Sequence, residues 1–154
     1  MRALIVYFSI YNNTEKIANV FAKKINADLI NIKESDDINV DNYDLIGFGS
    51  GIYREIMSQK LLNCVEKLNL KGKKVFVFST SGVGAKFYNN KMKKIFKSKG
   101  AICKGSFACK GHYTTTEIKK NKIFEFFRKL SEGHPNDKDI EKAEKFIENV
   151  VRSM

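Results

Sequence analysis

Three short stretches of this 154-residue sequence combine hydroxyls, amides and glycines in a way that could hold an anion and a flat ligand. The first is Ser9-Ile10-Tyr11-Asn12-Asn13-Thr14. An apolar, β-branched run, Leu4 to Phe8, leads into it, and an amphipathic pattern (Ile17, Ala18, Val20, Phe21, Ile25) leaves it. A strand that delivers such a loop to a helix N-terminus makes an anion cradle, because unpaired N–H groups and the positive end of the helix dipole meet there. Ser9, Thr14 and the amides of Asn12 and Asn13 can add donors, Asn12 tolerates φ > 0 in a tight turn, and Thr14 can begin the helix. The same residues would also suit a well-capped helix. The loop lacks the Gly-Lys-Ser/Thr ending of a Walker loop and the G-x-G-x-x-G of a dinucleotide loop.

The second stretch, Gly47-Phe48-Gly49-Ser50-Gly51-Ile52-Tyr53, reads as a loop whose three glycines allow close approach and unusual dihedrals. A planar ligand could lie along its bare peptide, with Tyr53 against its face. The third, Ser79-Thr80-Ser81-Gly82-Val83-Gly84, is again small and hydroxyl-rich, with Phe87 and Tyr88 behind it. A further strand ends in Cys109-Lys110-Gly111-His112-Tyr113. Cys109 has no CxxC partner and no evident base, so it reads as a small hydrophobe. His112 and His134 have no ligand spacing with the cysteines, which argues against a metal site. No Ser/His/Asp arrangement or spaced carboxylate pair stands out. The chemistry belongs to a cofactor, and the first loop suits one that carries phosphate.

The elements that must position these loops alternate. Strand-like runs fall at Ala3–Ser9, Asp28–Lys33, Tyr43–Gly49, Lys74–Thr80 and Ala101–Ala108. Helical patterns fall at Thr14–Ile25, Ser58–Leu68, Asn89–Ser98 and Asp137–Val151, the last behind a Pro135-Asn136-Asp137 turn and cap signal. The third and fourth strands are almost continuously apolar, as strands buried on both faces of a parallel sheet are. Right-handed crossovers then give an α/β three-layer sandwich with ligands at the carboxyl ends of the strands. A single domain over residues 1–154 is expected. The stretch Gly111–Gly133 is longer than a short βα loop; it contains a short helix, Lys122–Leu130, with Ile123, Phe126, Phe127 and Leu130 on one side. It either shapes a pocket or covers the sheet edge.

Composition fits a compact soluble chain: 43% of residues are hydrophobic and one is proline. No apolar stretch approaches the ~18 residues of a membrane span, and the opening run reads as a strand and not as a signal sequence. Three cysteines without metal spacing suit reduced thiols, so a cytoplasmic location is expected. The formal net charge of +11 is local. Between Lys86 and Leu130, twelve lysines and one arginine stand against Glu117 and Glu125, and the remainder is balanced. The excess should therefore form a face.

Five motifs carry a resemblance. NTEKIA (13–18), GFGSGIY (47–53), FSTSG (78–82), FACKG (107–111) and GHPNDKD (133–139) occur in order, and together the chain resembles the flavodoxin-like family, in particular short flavodoxins of anaerobic bacteria and archaea. Tyr11 and Asn12 depart from the Thr and Gly usual in the first loop. The resemblance implies a five-stranded parallel sheet of order 2-1-3-4-5, the architecture for which flavodoxin is itself the type example. It implies non-covalent FMN, with Ser9 to Thr14 on the phosphate and Ser50–Tyr53 and Ser79–Gly84 flanking the flavin ring. Tyr53 would stack on that ring, and Cys109 and Gly111 of FACKG would border it. Gly51 is where a peptide could turn its carbonyl toward flavin N5 on one-electron reduction.

The function implied is electron transfer between redox partners. The alternative is an FMN-dependent oxidoreductase on the same scaffold, either an NAD(P)H:acceptor reductase or a dehydrogenase of the protoporphyrinogen-oxidation kind. Flavodoxins are usually acidic, whereas this chain is basic, so an acidic redox partner protein is expected. The basic stretch lacks a recognised nucleic-acid motif, which disfavours a nucleic-acid partner.

Overall fold

Strand residues of this chain send alternate side chains to opposite faces of one sheet, and both faces are apolar, so helices must cover both. The structure, a computed structural model, describes residues 1–113 and 122–154, apart from the side chains of Phe124 and Phe127. The strands are β1 (Ala3–Phe8), β2 (Asp28–Asn31), β3 (Leu45–Tyr53), β4 (Ile56–Met57), β5 (Lys74–Ser81) and β6 (Ile102–Lys110). The helices are α1 (Asn13–Ile25), α2 (Gln59–Lys67), α3 (Asn90–Ser98), α4 (Lys122–Ser131) and α5 (Asp137–Arg152), with a 3₁₀ turn over Lys86–Asn89.

The order β2-β1-β3-β5-β6 is parallel throughout, as expected from the resemblance. A sixth, two-residue strand departs from expectation: β4 folds back antiparallel on β3. The two residues between them, Arg54 and Glu55, both have positive φ (50° and 68°), the dihedral pattern of a tight hairpin turn. On one face of the sheet, Leu4, Val6, Ile46, Phe48, Val75 and Val77 pack under Leu61, Leu62 and Val65 of α2 and Met92 and Phe96 of α3. On the other, Ile5, Tyr7, Leu45, Phe76, Phe78 and Phe107 meet Ile17 and Phe21 of α1 and Ala143, Ile147 and Val150 of α5. Phe21 sits at the centre of that second layer, edge-on to Phe78, Phe76 and Phe107 at centroid distances of 5.0, 5.5 and 5.7 Å.

Two glycines of β3 make this layer possible. Gly47 and Gly49 lie beneath the rings of Phe76 and Phe78; a Cβ on them would come within 2.3 and 2.0 Å of ring carbons. GFGSGIY is therefore strand and not loop, and its glycines have ordinary dihedrals. At the far edge, the β5/β6 register slips between Val75 and Phe76, which leaves Lys104 as an extra residue in β6. Lys104 Nζ donates to the Ser153 carbonyl at 2.5 Å. Phe127, read from the sequence as part of the apolar side of α4, lies outside the described side chains. No helix among the described residues is long and apolar enough to cross a membrane.

Gly49→Ala should destabilise the fold by about 1–3 kcal/mol, the usual effect of forcing a methyl into a filled core. Urea unfolding measures it. Adding Phe78→Leu should recover part of the loss, and a neutral Gly49→Ala would contradict the packing described.

Candidate functional site

The chain order reverses between β1 and β3, so the crevice lies where the loops after these two strands diverge. Register brings the candidate residues into rows along that edge. Phe8, Ser50, Ser79 and Ala108 are cross-strand partners, and one residue further on Gly51, Thr80 and Cys109 are partners.

Asn12 is left-handed (φ 65°, ψ 4°), as its residue type predicts, and it precedes α1 without a side-chain capping bond. The helix begins at Asn13 and not at Thr14. Neither of these residues closes the helix end. The Thr14 hydroxyl lies 2.8 Å from that of Thr80, and Asn13 Nδ2 donates to the His112 carbonyl at 2.5 Å. A well-capped helix is thus not what this loop makes. The helix N-terminus has no side-chain cap, and Ser9 Oγ, in the loop that leads into it, is buried with no partner. Tyr11 of this loop is exposed.

The end of β3 is built differently from the reading of its sequence. Ser50 is fully buried; its hydroxyl donates to the Gly51 carbonyl at 2.6 Å and accepts the Ser58 N–H at 2.8 Å, fastening β3 to the start of α2. The unusual dihedrals expected of the glycines fall instead on Arg54 and Glu55. The Tyr53 side chain, on the same strand just before this turn, folds back over Gly51, where a Cβ would come within 2.4 Å of the phenol oxygen. That oxygen accepts the Ile10 N–H at 3.0 Å, and the ring stands edge-on to Phe8 at 5.8 Å. Burial pushes the Tyr53 phenol up to about 12, and the Ile10 N–H partly opposes this. Tyr53 therefore joins the second loop to the first. Ile52 beside it is half-buried.

In the third loop the Ser79 hydroxyl is buried without a partner, like that of Ser9. Ser81 Oγ accepts the Gly84 N–H at 2.8 Å, and the Ser81 carbonyl accepts the Gly111 N–H at 2.9 Å. Gly84 (φ 66°) passes so close to β6 that a Cβ would lie 2.9 Å from the Lys110 nitrogen. Val83 is exposed at the tip. Cys109 is a free thiol in the apolar layer beneath, and burial pushes it up to about 12, so it stays neutral at physiological pH.

Sequence reasoning named the next residues but not the contacts they make. The Tyr113 ring lies on Gly82, where a Cβ would come within 2.6 Å of it. Gly111 makes room for Asn13, whose side chain a Cβ there would approach to 2.8 Å. GHPNDKD is a fastening: the His112 N–H donates to the His134 carbonyl (2.9 Å), and His134 Nδ1 lies 2.5 Å from the Asp139 carboxylate. Asp139 and Asn136 form the capping box of α5, and Lys16 of α1 donates to the Pro135 carbonyl at 3.0 Å. The cap signal was legible; its attachment to the first loop was not, because it runs through main-chain carbonyls. The Gly111–Gly133 segment, on which a substrate pocket would depend, includes residues 114–121, outside the described residues.

The flavodoxin domain family matches residues 4–148. An uncharacterized protein of Methanocaldococcus jannaschii is 41% identical over 157 residues, spanning 99% of this chain and 100% of that protein. Rubredoxin oxygen:oxidoreductase from Desulfovibrio gigas superposes with a TM-score of 0.71 at 14% identity, covering 99% of this chain and 35% of that longer one. Oxidised flavodoxin 2 from Bacillus cereus superposes with a TM-score of 0.67 at 18% identity, each chain covered in full. At these identities the two superpositions speak for the fold.

Of the six tyrosines, Tyr7 and Tyr53 should ionise late in an absorbance titration, both near 12. A phenol whose folded pKa exceeds its ordinary value stabilises the fold fully below pH ~10, and that contribution is lost as pH rises through the folded value. Tyr53→Phe should remove one late phenol and make alkaline destabilisation shallower between about pH 10 and 12. A titration superimposable on that of the parent would contradict the placement of Tyr53.

Proposed function

Because the chain belongs to the flavodoxin family, we propose that it holds FMN at the carboxyl edge of the sheet and carries electrons between protein partners in the cytoplasm. The observation that carries this reading is the N-terminus of α1, which no side chain caps and whose leading loop holds the Ser9 hydroxyl, buried without a partner. A phosphate monoester supplies the acceptors that such a terminus and hydroxyl lack. The residues therefore fit the group. Main-chain donors suffice, so no lysine or arginine is needed at the phosphate.

Bound FMN supplies reversible one- and two-electron chemistry. The protein's part is to hold and orient. Tyr53 offers an aromatic face whose position is fixed by the Ile10 N–H, so the ring wall and the phosphate loop move together. The Gly51 carbonyl is held by Ser50 Oγ, so turning that peptide toward the ligand must first break a 2.6 Å hydrogen bond. Ser79–Gly84 borders the opposite side, with Cys109 kept as an inert thiol below it. Three free cysteines are compatible with a reducing compartment.

Apoprotein should bind FMN and turn yellow, and riboflavin, which lacks the phosphate, should bind far more weakly. Ser9→Ala should weaken FMN by roughly ten- to a hundredfold, the range for a hydrogen bond to a charged group, and leave riboflavin unchanged. Equal affinities for the two flavins would sink the phosphate assignment. Because nearby cations favour an anionic reduced flavin, the potential found by reductive titration should be less negative than that of an acidic flavodoxin.

A further inference from the structure

We infer that the ridge from Lys86 to Lys97 docks the acidic face of a redox partner protein, with the Phe87 ring as its anchor. This rests on the electron-carrier reading and names what the carrier meets.

The chain leaves the Ser79–Gly84 loop through the 3₁₀ turn Lys86–Asn89 and enters α3 at once. Phe87 is 62% exposed, although a phenylalanine ring gains most by burial. It is held in place by Tyr88, 4.2 Å away between centroids. The turn packs against β4 of the Tyr53 hairpin, and Tyr88 feels the charge of Glu55 at the hairpin tip. Two more apolar side chains stand out around it, Ile56 of β4 at 44% and Val83 at 39%. These residues form an apolar centre beside the candidate flavin site.

On the α3 side the rim is charged with one sign, and the one carboxylate that Tyr88 feels, Glu55, lies across the apolar centre at the hairpin tip. Lys86, Lys91, Lys93, Lys94 and Lys97 are exposed, and α3 contains no acidic residue. Among the described residues none of the five makes an ion pair, whereas α1 and α5 each pair one lysine, through Lys24–Glu148 and Lys145–Glu141, and carry acidic residues of their own. Met92, Ile95 and Phe96 are buried on the inner side of α3, so the lysines project from a rigid support. An apolar centre within a charged rim is the anatomy of a protein interface, and the single sign selects an acidic partner and speeds its approach. Phosphate recognition favours the bidentate fork of arginine, and residues 86–110 contain none. A protein partner is therefore favoured over a nucleic acid.

The test uses an acidic plant-type [2Fe–2S] ferredoxin as probe. FMN-loaded, oxidised protein is mixed with reduced probe by stopped flow, the probe being the stronger reductant, and calorimetry follows probe binding to the unloaded chain with the same variants. The second-order rate should fall roughly tenfold between about 20 and 200 mM salt. Reversing the ridge (Lys91→Glu, Lys93→Glu, Lys94→Glu, Lys97→Glu) should lower the low-salt rate by roughly tenfold or more and flatten the salt dependence. The visible spectrum and FMN content should not change. Phe87→Ser should lower the rate about fivefold with the salt slope kept, since truncating an apolar anchor removes about 1 kcal/mol or more. Lys138→Glu with Lys142→Glu, on α5, should leave rate and binding within about twofold. A salt-independent rate, a ridge reversal without effect, or an equal loss in the α5 control would overturn the proposal. So would salt-sensitive retention on single-stranded DNA that the reversal abolishes, with no binding of the probe. A chain that binds the probe through the ridge yet takes up no FMN would overturn the carrier reading and leave the docking surface standing.

Discussion

A helix whose first turn is deliberately left open is the condition on which the rest of this architecture depends. Asn and Thr residues ordinarily cap helices with their own side chains. Here Asn13 is drawn to the His112 carbonyl and Thr14 to the Thr80 hydroxyl, two partners from distant parts of the chain. Each diversion needs its own supports. Gly111 must lack a side chain for Asn13 to fit, and His112 must be fixed, which the His134 carbonyl and the α5 capping box accomplish. Thr80, next to last in β5, must lie in register with Gly51 and Cys109. Residues from three of the parallel strands, β3, β5 and β6, thus contribute to leaving the α1 N-terminus without a side-chain cap.

The aromatic layer beneath serves the same end. Phe21 is on α1 itself, and its edge-on contacts with Phe76, Phe78 and Phe107 fix how the helix lies on the sheet. Gly47 and Gly49 let Phe76 and Phe78 lie flat enough to receive it. A motif that suggests a ligand loop is thus half packing device and half site: its first two glycines serve the core, and Gly51 and Tyr53 form the edge of the crevice.

That division explains what the sequence could and could not reveal. Alternation, apolar runs and the Asn12 turn depend on neighbours in the chain, and strand positions and the left-handed Asn12 follow from them, whereas the sheet order was implied by the resemblance that the five motifs carry. The work of Gly47 and Gly49 depends on rings 29 residues further on, so the glycines read as a loop. The Arg54–Glu55 turn has neither Asn nor Gly to announce a hairpin, so β4 and the return of Tyr53 were invisible. Ser50 read as a ligand-facing hydroxyl, yet its register places it over α2, where it is consumed by main-chain groups. The excess charge was legible as a local property. Its division into an unpaired ridge on α3 and helices with acidic residues of their own on the other face required three dimensions.

The slip of register that inserts Lys104 into β6 bears on how the molecule lives among its copies. Among the described residues β6 is the outer strand on its side of the sheet, and an edge nine residues long is a template on which another chain could continue it. The extra residue twists that border, and its ammonium group is tied back to the chain terminus, so a second border cannot align with it in an unbroken ladder. The β6 side of the sheet is thereby a poor template for a second copy of the chain.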